Sequence, residues 1–342
     1  MQTVKQRCRN SLGRLGLAFL LTIATTGLAA ADPKQWKRAG FTTDFTKAIV
    51  DLKTIFSGGP PKDGIPSIDA PRFETARDIS WLDDREPVIR LEVTGTIKAY
   101  PLQILIWHEI VNDRIGNVPV AITYCPLCNS SIAFDRRLGE ETLDFGTTGL
   151  LRNSDLVMYD RQSETWWQQF TGEAIVGTHA GRKLKMLPSR VLSFGAFRKA
   201  HPEAEVLARP DPPRRDYGLN PYIGYDSRRA PYPLYQGDLP ENINPMARVV
   251  IVRDAERFHA ATVAYLRENG TLAFNGSVEL RWTGEQASVL DNRSTRAGRS
   301  VGTVLAVRKT AAGEEPLVHD VTFAFVVHAF HPGLAILGVK QP

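Results

Sequence analysis

Cysteine is almost missing from this chain. Three occur in 342 residues, and Cys8 lies in a basic leader, so only Cys125 and Cys128 remain for the body of the protein. A disulfide framework is excluded, because a bridge between residues three apart closes too small a loop to staple a fold. Long apolar runs are missing as well. The longest, Leu15–Ala24, falls short of the ~20 residues a bilayer span requires. A one-signed charge excess is also lacking once the leader is set aside: of the formal +5, four basic residues and no acidic ones sit in the first 31 positions. A nearly neutral remainder gives no support to nucleic-acid or anionic-membrane binding.

The leader reads as a secretory signal peptide. Lys5, Arg7, Arg9 and Arg14 form the basic part, Leu15–Ala24 the apolar part, and Ala29-Ala30-Ala31 an exit for cleavage after Ala31. A mature protein in the periplasm or outside the cell is expected, with no transmembrane span. Roughly 310 residues can bury a core without help from disulfides.

Along the chain, Ala48, Ile49, Leu52 and Ile55 predict a helix over residues 46–55, and the Gly/Pro-rich 58–66 a loop. Pro87–Val93 and Ile97–Tyr100, separated by Thr94-Gly95, predict a hairpin. Pro101 opens a helix expected to run over 102–111. Residues 117–124, 131–135, 142–145, 156–160 and 164–170 alternate as strands, and 192–200 predicts a short helix closed by His201-Pro202. From 209 to 245 prolines recur among Tyr217, Tyr222, Tyr225, Tyr232 and Tyr235, which excludes a continuous helix or central strand. Arg248–Arg253 then resembles Pro87–Glu92, Ala264-Tyr265-Leu266 resembles Ala99-Tyr100-Pro101, and His331-Pro332 with Leu337 resembles His201-Pro202 with Leu207.

These matches predict an internal duplication. The expected fold is α+β and β-rich, with short helices in two related modules. The expected divisions are a signal peptide (1–31), an N-terminal extension (32–78), a first module with the cysteine site (79–207), a Pro/Tyr-rich connector (208–246) and a second, site-less module (247–342).

The chemistry centres on Cys125-Pro-Leu-Cys128. A thioredoxin-like dithiol would open a long helix, but Asn129–Asp135 alternates like a strand, so that fold is disfavoured. A metal knuckle is a second reading, with Asn129 suited to the positive φ that closes such a turn. A closed zinc site needs further ligands. With no second Cys-x-x-Cys they would come from His108, Glu109, Met158 or a distant histidine, and by ligand softness His and Met beside two thiolates suit copper or another soft metal. A local disulfide or a pair of half-buried thiols is the bland third reading.

His108 is a third ligand or a base that activates a thiol, set against an ordinary core histidine. Asp113 could orient it. Arg152 and Asn153 are candidate contacts for a carboxylate or phosphate, set against a capped turn with ion pairs. Trp166 and Trp167 read as packing residues.

Several stretches together resemble a known family. They are Ala99-Tyr100-Pro101, Trp107-His108-Glu109 through Asn112-Asp113, Thr123-Tyr124-Cys125-Pro126-Leu127-Cys128-Asn129, Gly149 through Ser154, Met158-Tyr159-Asp160-Arg161 and Phe330-His331-Pro332. Across about residues 80–337 the chain is similar to the domain-of-unknown-function (DUF) 3179 family. That resemblance carries no activity with it. Val327-His328-Ala329 departs from the aromatic-rich run expected there.

The combined expectation is a periplasmic or secreted protein with a cysteine-centred site, Cys125, Cys128, His108 and Met158, for a soft metal or for thiol redox work with a small-molecule or protein partner. The competing expectation is a non-catalytic module that binds a small anion or glycan through Arg152, Asn153 and the Tyr-rich segment.

Overall fold

A computed structural model describes residues 32–213, 215–255 and 257–339. The expected signal peptide lies outside the described residues. Strands hold 42% of the described residues against 15% in helices, and among those residues no α-helix exceeds seven residues. Sheets therefore build the body, and no described helix is long and apolar enough to cross a membrane.

Five sheets of four or five strands are arranged like the blades of a five-bladed β-propeller. One carries the cysteines. Its strands Ile110–Ile115, Val118–Cys125 and Ser130–Asp135 form an antiparallel meander edged by Lys185–Leu187. A neighbouring sheet contains Phe145–Arg152, Asp155–Asp160, Trp166–Gln168 and Glu173–Val176, again antiparallel. Both faces of these sheets are covered, which explains why Ser130–Asp135 and Asp155–Asp160 are buried at every position.

The expected α+β body of two related modules is corrected by this arrangement. One hydrophobic cluster runs from Ile89 through Cys125 and Trp167 to Val327 and draws on both expected modules. The sequence likeness has a local cause. Pro87–Val93 and Arg248–Asp254 each begin a hairpin whose second strand enters a seven-residue helix, Leu102–His108 or Val263–Asn269. Each hairpin then gains a short parallel strand after a His-Pro pair. A recurring hairpin–helix unit produced the matching residues, while the five-sheet packing produced the architecture.

Two element expectations also change. Residues 46–55 form no α-helix: Asp51 caps a single 3-10 turn over Leu52–Thr54, and Ile55–Ser57 pairs with Leu150–Arg152. Backbone pairing to a sheet outweighs a weak amphipathic pattern. The helix from Leu102 stops at His108, because Glu109 takes φ 58° and Ile110 joins the cysteine sheet.

Candidate metal centre

Two hairpin tips meet at the site. In the first, Cys125 pairs with Ser130 across the four-residue loop Pro126–Asn129. Asn129 has φ 50°, and its N–H donates to the Pro126 carbonyl at 3.2 Å. Asn tolerates this conformation better than most residues. The turn therefore holds both cysteines on one tight corner.

In the second, Arg152 pairs with Asp155, leaving Asn153 and Ser154 as a two-residue loop. Their φ values are 54° and 65°. Two successive positive φ angles are the mark of a type I′ hairpin turn, whose twist matches that of its strands. That turn aims the Ser154 carbonyl at the cysteines: Cys128 Sγ lies 3.5 Å from it and Cys125 Sγ 3.8 Å.

Cys125, Cys128 and Asp155 each offer a ligand atom, all within 4.8 Å of one another. All three residues are at most 2% exposed, and both cysteines are free thiols. The Asp155 carboxylate is oriented through Oδ2, which accepts from Gln168 Nε2 at 2.6 Å and Phe170 N–H at 2.9 Å. Its Oδ1 is buried without a partner.

Burial controls the protonation of the group. It raises the Cys125 thiol and drives Cys128 well above its usual range, with the charge of Asp155 adding to both shifts. Burial likewise pushes Asp155 up to about 7, against the hydrogen bonds from Gln168 and Phe170. Glu109 is pushed up to about 8, first by burial and then by the nearby Asp155. A site this crowded with groups that resist ionising in a low-dielectric interior favours either protons or a cation.

Other predicted site residues are placed as follows. His108 has both ring nitrogens engaged, Nδ1 with the Pro66 carbonyl at 2.7 Å and Nε2 with Tyr217 Oη at 2.7 Å. It is not within the three-residue cluster. Met158 is fully buried in the main core, paired with Trp167 and Thr147. Arg152 donates to Thr54 Oγ1 and to Gln168 Oε1, so its fork braces the glutamine that orients Asp155. Asn153 shapes the turn. The Tyr-rich segment crosses the cysteine loop: Tyr225 Oη donates to the Leu127 carbonyl at 3.0 Å. Burial raises Tyr222 well above its usual value, with Glu109 and Cys125 contributing to the shift.

The C-terminal part of the chain supports the cysteine turn directly. Thr322 Oγ1 donates to the Cys128 carbonyl at 2.7 Å, and Asn129 Nδ2 to the Val321 carbonyl at 2.7 Å. Asp320 Oδ1 accepts from the Ser131 N–H at 3.0 Å, and burial lifts this carboxyl to about 6. Sequence reasoning did not single out Asp155, Asp320 or Arg253 for the site. Asp155 carried a readable signal, an acid just after an Asn-Ser turn and just before the apolar Leu156–Met158. Asp320 and Arg253 stand in ordinary-looking strands and carried none.

Fold and site together define a five-sheet β-protein with a buried thiol–thiol–carboxylate centre at the junction of two hairpin tips. The chain belongs to the family described as "Protein of unknown function (DUF3179)", whose model matches residues 62–334. No curated protein and no solved structure matches it.

Proposed function

We propose that Cys125, Cys128 and Asp155 hold a thiophilic metal ion, and that Zn2+ is the cation the donor set suits best. The carrying observation is the convergence of two thiols and an oriented carboxylate with an unpartnered Oδ1 inside a buried site. Thiolate and carboxylate oxygen are both ordinary zinc ligands. Copper would need His108 and Met158 as companions of the thiols; a carboxylate, a harder donor, is grouped with them instead. Charge points the same way. Two thiolates and a carboxylate around Zn2+ leave one excess negative charge, whereas a cuprous ion leaves two, and buried net charge is costly. Gln168 and Phe170 would act as the outer shell that orients Asp155. Three protein ligands leave a fourth position for a small ligand, the arrangement of catalytic rather than structural zinc sites. Secretion through the 1–31 leader belongs to the same proposal.

Metal analysis of untagged protein tests it, together with a free-thiol count. About one zinc per chain is expected, lost in Cys125→Ser, Cys128→Ser and Asp155→Asn. Wild-type protein that stays metal-free after incubation with zinc overturns the reading, and an oxidised Cys125–Cys128 pair in that protein would assign the thiols to redox chemistry instead.

A further inference from the structure

Arg253 is an unexpected, half-buried cation beside this centre. It leaves the strand Arg248–Asp254, and its guanidinium sits 5.0 Å over the Phe170 ring. Nη2 donates to the Phe170 carbonyl at 2.7 Å. The N–H of the same residue donates to Asp155 Oδ2 at 2.9 Å. One residue of backbone therefore separates the arginine from the carboxylate of the candidate centre. Nη1 is buried and has no hydrogen-bond partner. Its acidic neighbours are Asp320 and Asp155, and among the described residues neither makes an ion pair with it. A guanidinium with one nitrogen out of water and no bonded counter-charge carries a cost, so its charge needs a purpose.

We propose that Arg253 is a positioning residue for the cysteine–carboxylate centre: it holds the Phe170 segment that orients Asp155 and supplies the positive charge that offsets the excess negative charge of the metal-loaded site. The inference rests on the metal reading above. It also gives the C-terminal part of the chain a role in the site, through electrostatics rather than ligation. The negative charge of Asp320 also acts on this guanidinium and competes for it.

Two contributions are separable by substitution. Arg253→Gln keeps a side-chain N–H for the Phe170 carbonyl and loses the charge. Arg253→Lys keeps the charge and loses the planar fork. Zinc affinity would be read by chelator competition, with the thiolate-to-cobalt charge-transfer band of the Co2+-loaded protein as the spectroscopic check on geometry. Arg253→Gln is expected to weaken zinc binding about 10- to 100-fold, the usual cost of losing an outer-shell partner. Arg253→Lys should recover most of that loss, and both variants should keep the cobalt band. Asp320→Asn, which frees the guanidinium from a competing negative charge, should tighten zinc binding.

Equal affinity in wild type and Arg253→Gln overturns the proposal. So does a lysine variant no better than glutamine, because the role would then be hydrogen bonding alone. Should Arg253→Gln fail to fold, the comparison of wild type, Arg253→Lys and Asp320→Asn still decides: no change in Asp320→Asn with a large loss in Arg253→Lys refutes the charge argument. A wild type that binds no zinc refutes the parent reading, which is a different result from a wild type that binds zinc indifferently to Arg253.

Discussion

Replacing Glu109 by Gln in the metal-free protein should flatten the dependence of stability on pH. The Glu109 carboxyl is 7% exposed and follows the helix terminus at φ 58°. Its proton affinity is lifted from an ordinary 4.5 to about 8, mostly by burial, with Asp155 adding to it. Between those two values the native protein keeps a proton that the unfolded chain has released. Stability therefore falls as pH rises through that window. Each unit of difference is about 1.36 kcal/mol, so the cost reaches about 3 kcal/mol at pH 7 and about 5 kcal/mol well above pH 8, both upper bounds because Asp155 shares the interaction. Glutamine keeps the shape and carries no charge. Urea unfolding in the presence of a chelator, at pH 5, 6, 7 and 8, reads the difference. The variant should match wild type near pH 5 and exceed it increasingly toward pH 8. A wild-type-minus-variant difference that is constant across this range would refute the reasoning. Asp155 and Asp320, raised to about 7 and about 6, act in the same direction and leave a residual slope in the variant.

Further expectations follow from single contacts. Zinc uptake at pH 7 should release about two and a half protons per ion, because burial keeps both thiols protonated and Asp155, lifted to about 7, half protonated in the free protein, and calorimetry in buffers of different ionisation enthalpy measures this. Gly149→Ala should be strongly destabilising in thermal melts: the residue has φ 72°, and a Cβ there would lie 2.0 Å from the Pro60 carbonyl oxygen. Thr322→Val should cost about 1–3 kcal/mol in urea unfolding, since it leaves the buried Cys128 carbonyl without its donor. Tyr225→Phe removes the hydroxyl that bonds the Leu127 carbonyl, and it should speed zinc loss to a chelator if the Tyr-rich segment secures the cysteine loop.

Much of the local structure could be read directly. Alternation marked strands over 117–124 and 131–135, observed as Val118–Cys125 and Ser130–Asp135, because a strand's side-chain period is two and both partners lie within a few residues of their turn. The Cys-Pro-Leu-Cys-Asn corner was legible for the same reason, down to the positive φ of Asn129. The combination of motifs pointed to the family that the comparison then showed. The 46–55 segment misled because its apolar spacing suits a helix, while the observed Ile55–Ser57 strand depends on a partner almost a hundred residues later. The hairpin–helix unit misled in the opposite way, since similar local pairing says little about how sheets assemble.

By itself, then, the amino-acid order determined the cysteine corner at a strand end, the tight Asn153-Ser154 turn, the near-neutral charge and the hairpins. These depend on backbone preferences and neighbouring residues. Only tertiary packing decided that the two turn tips meet, that Asp155 rather than His108 joins the thiols, and that Arg253 and Asp320 stand behind them. Residues 30 to 195 positions apart come together there by sheet-on-sheet contact, and no local pattern encodes which buried faces will touch.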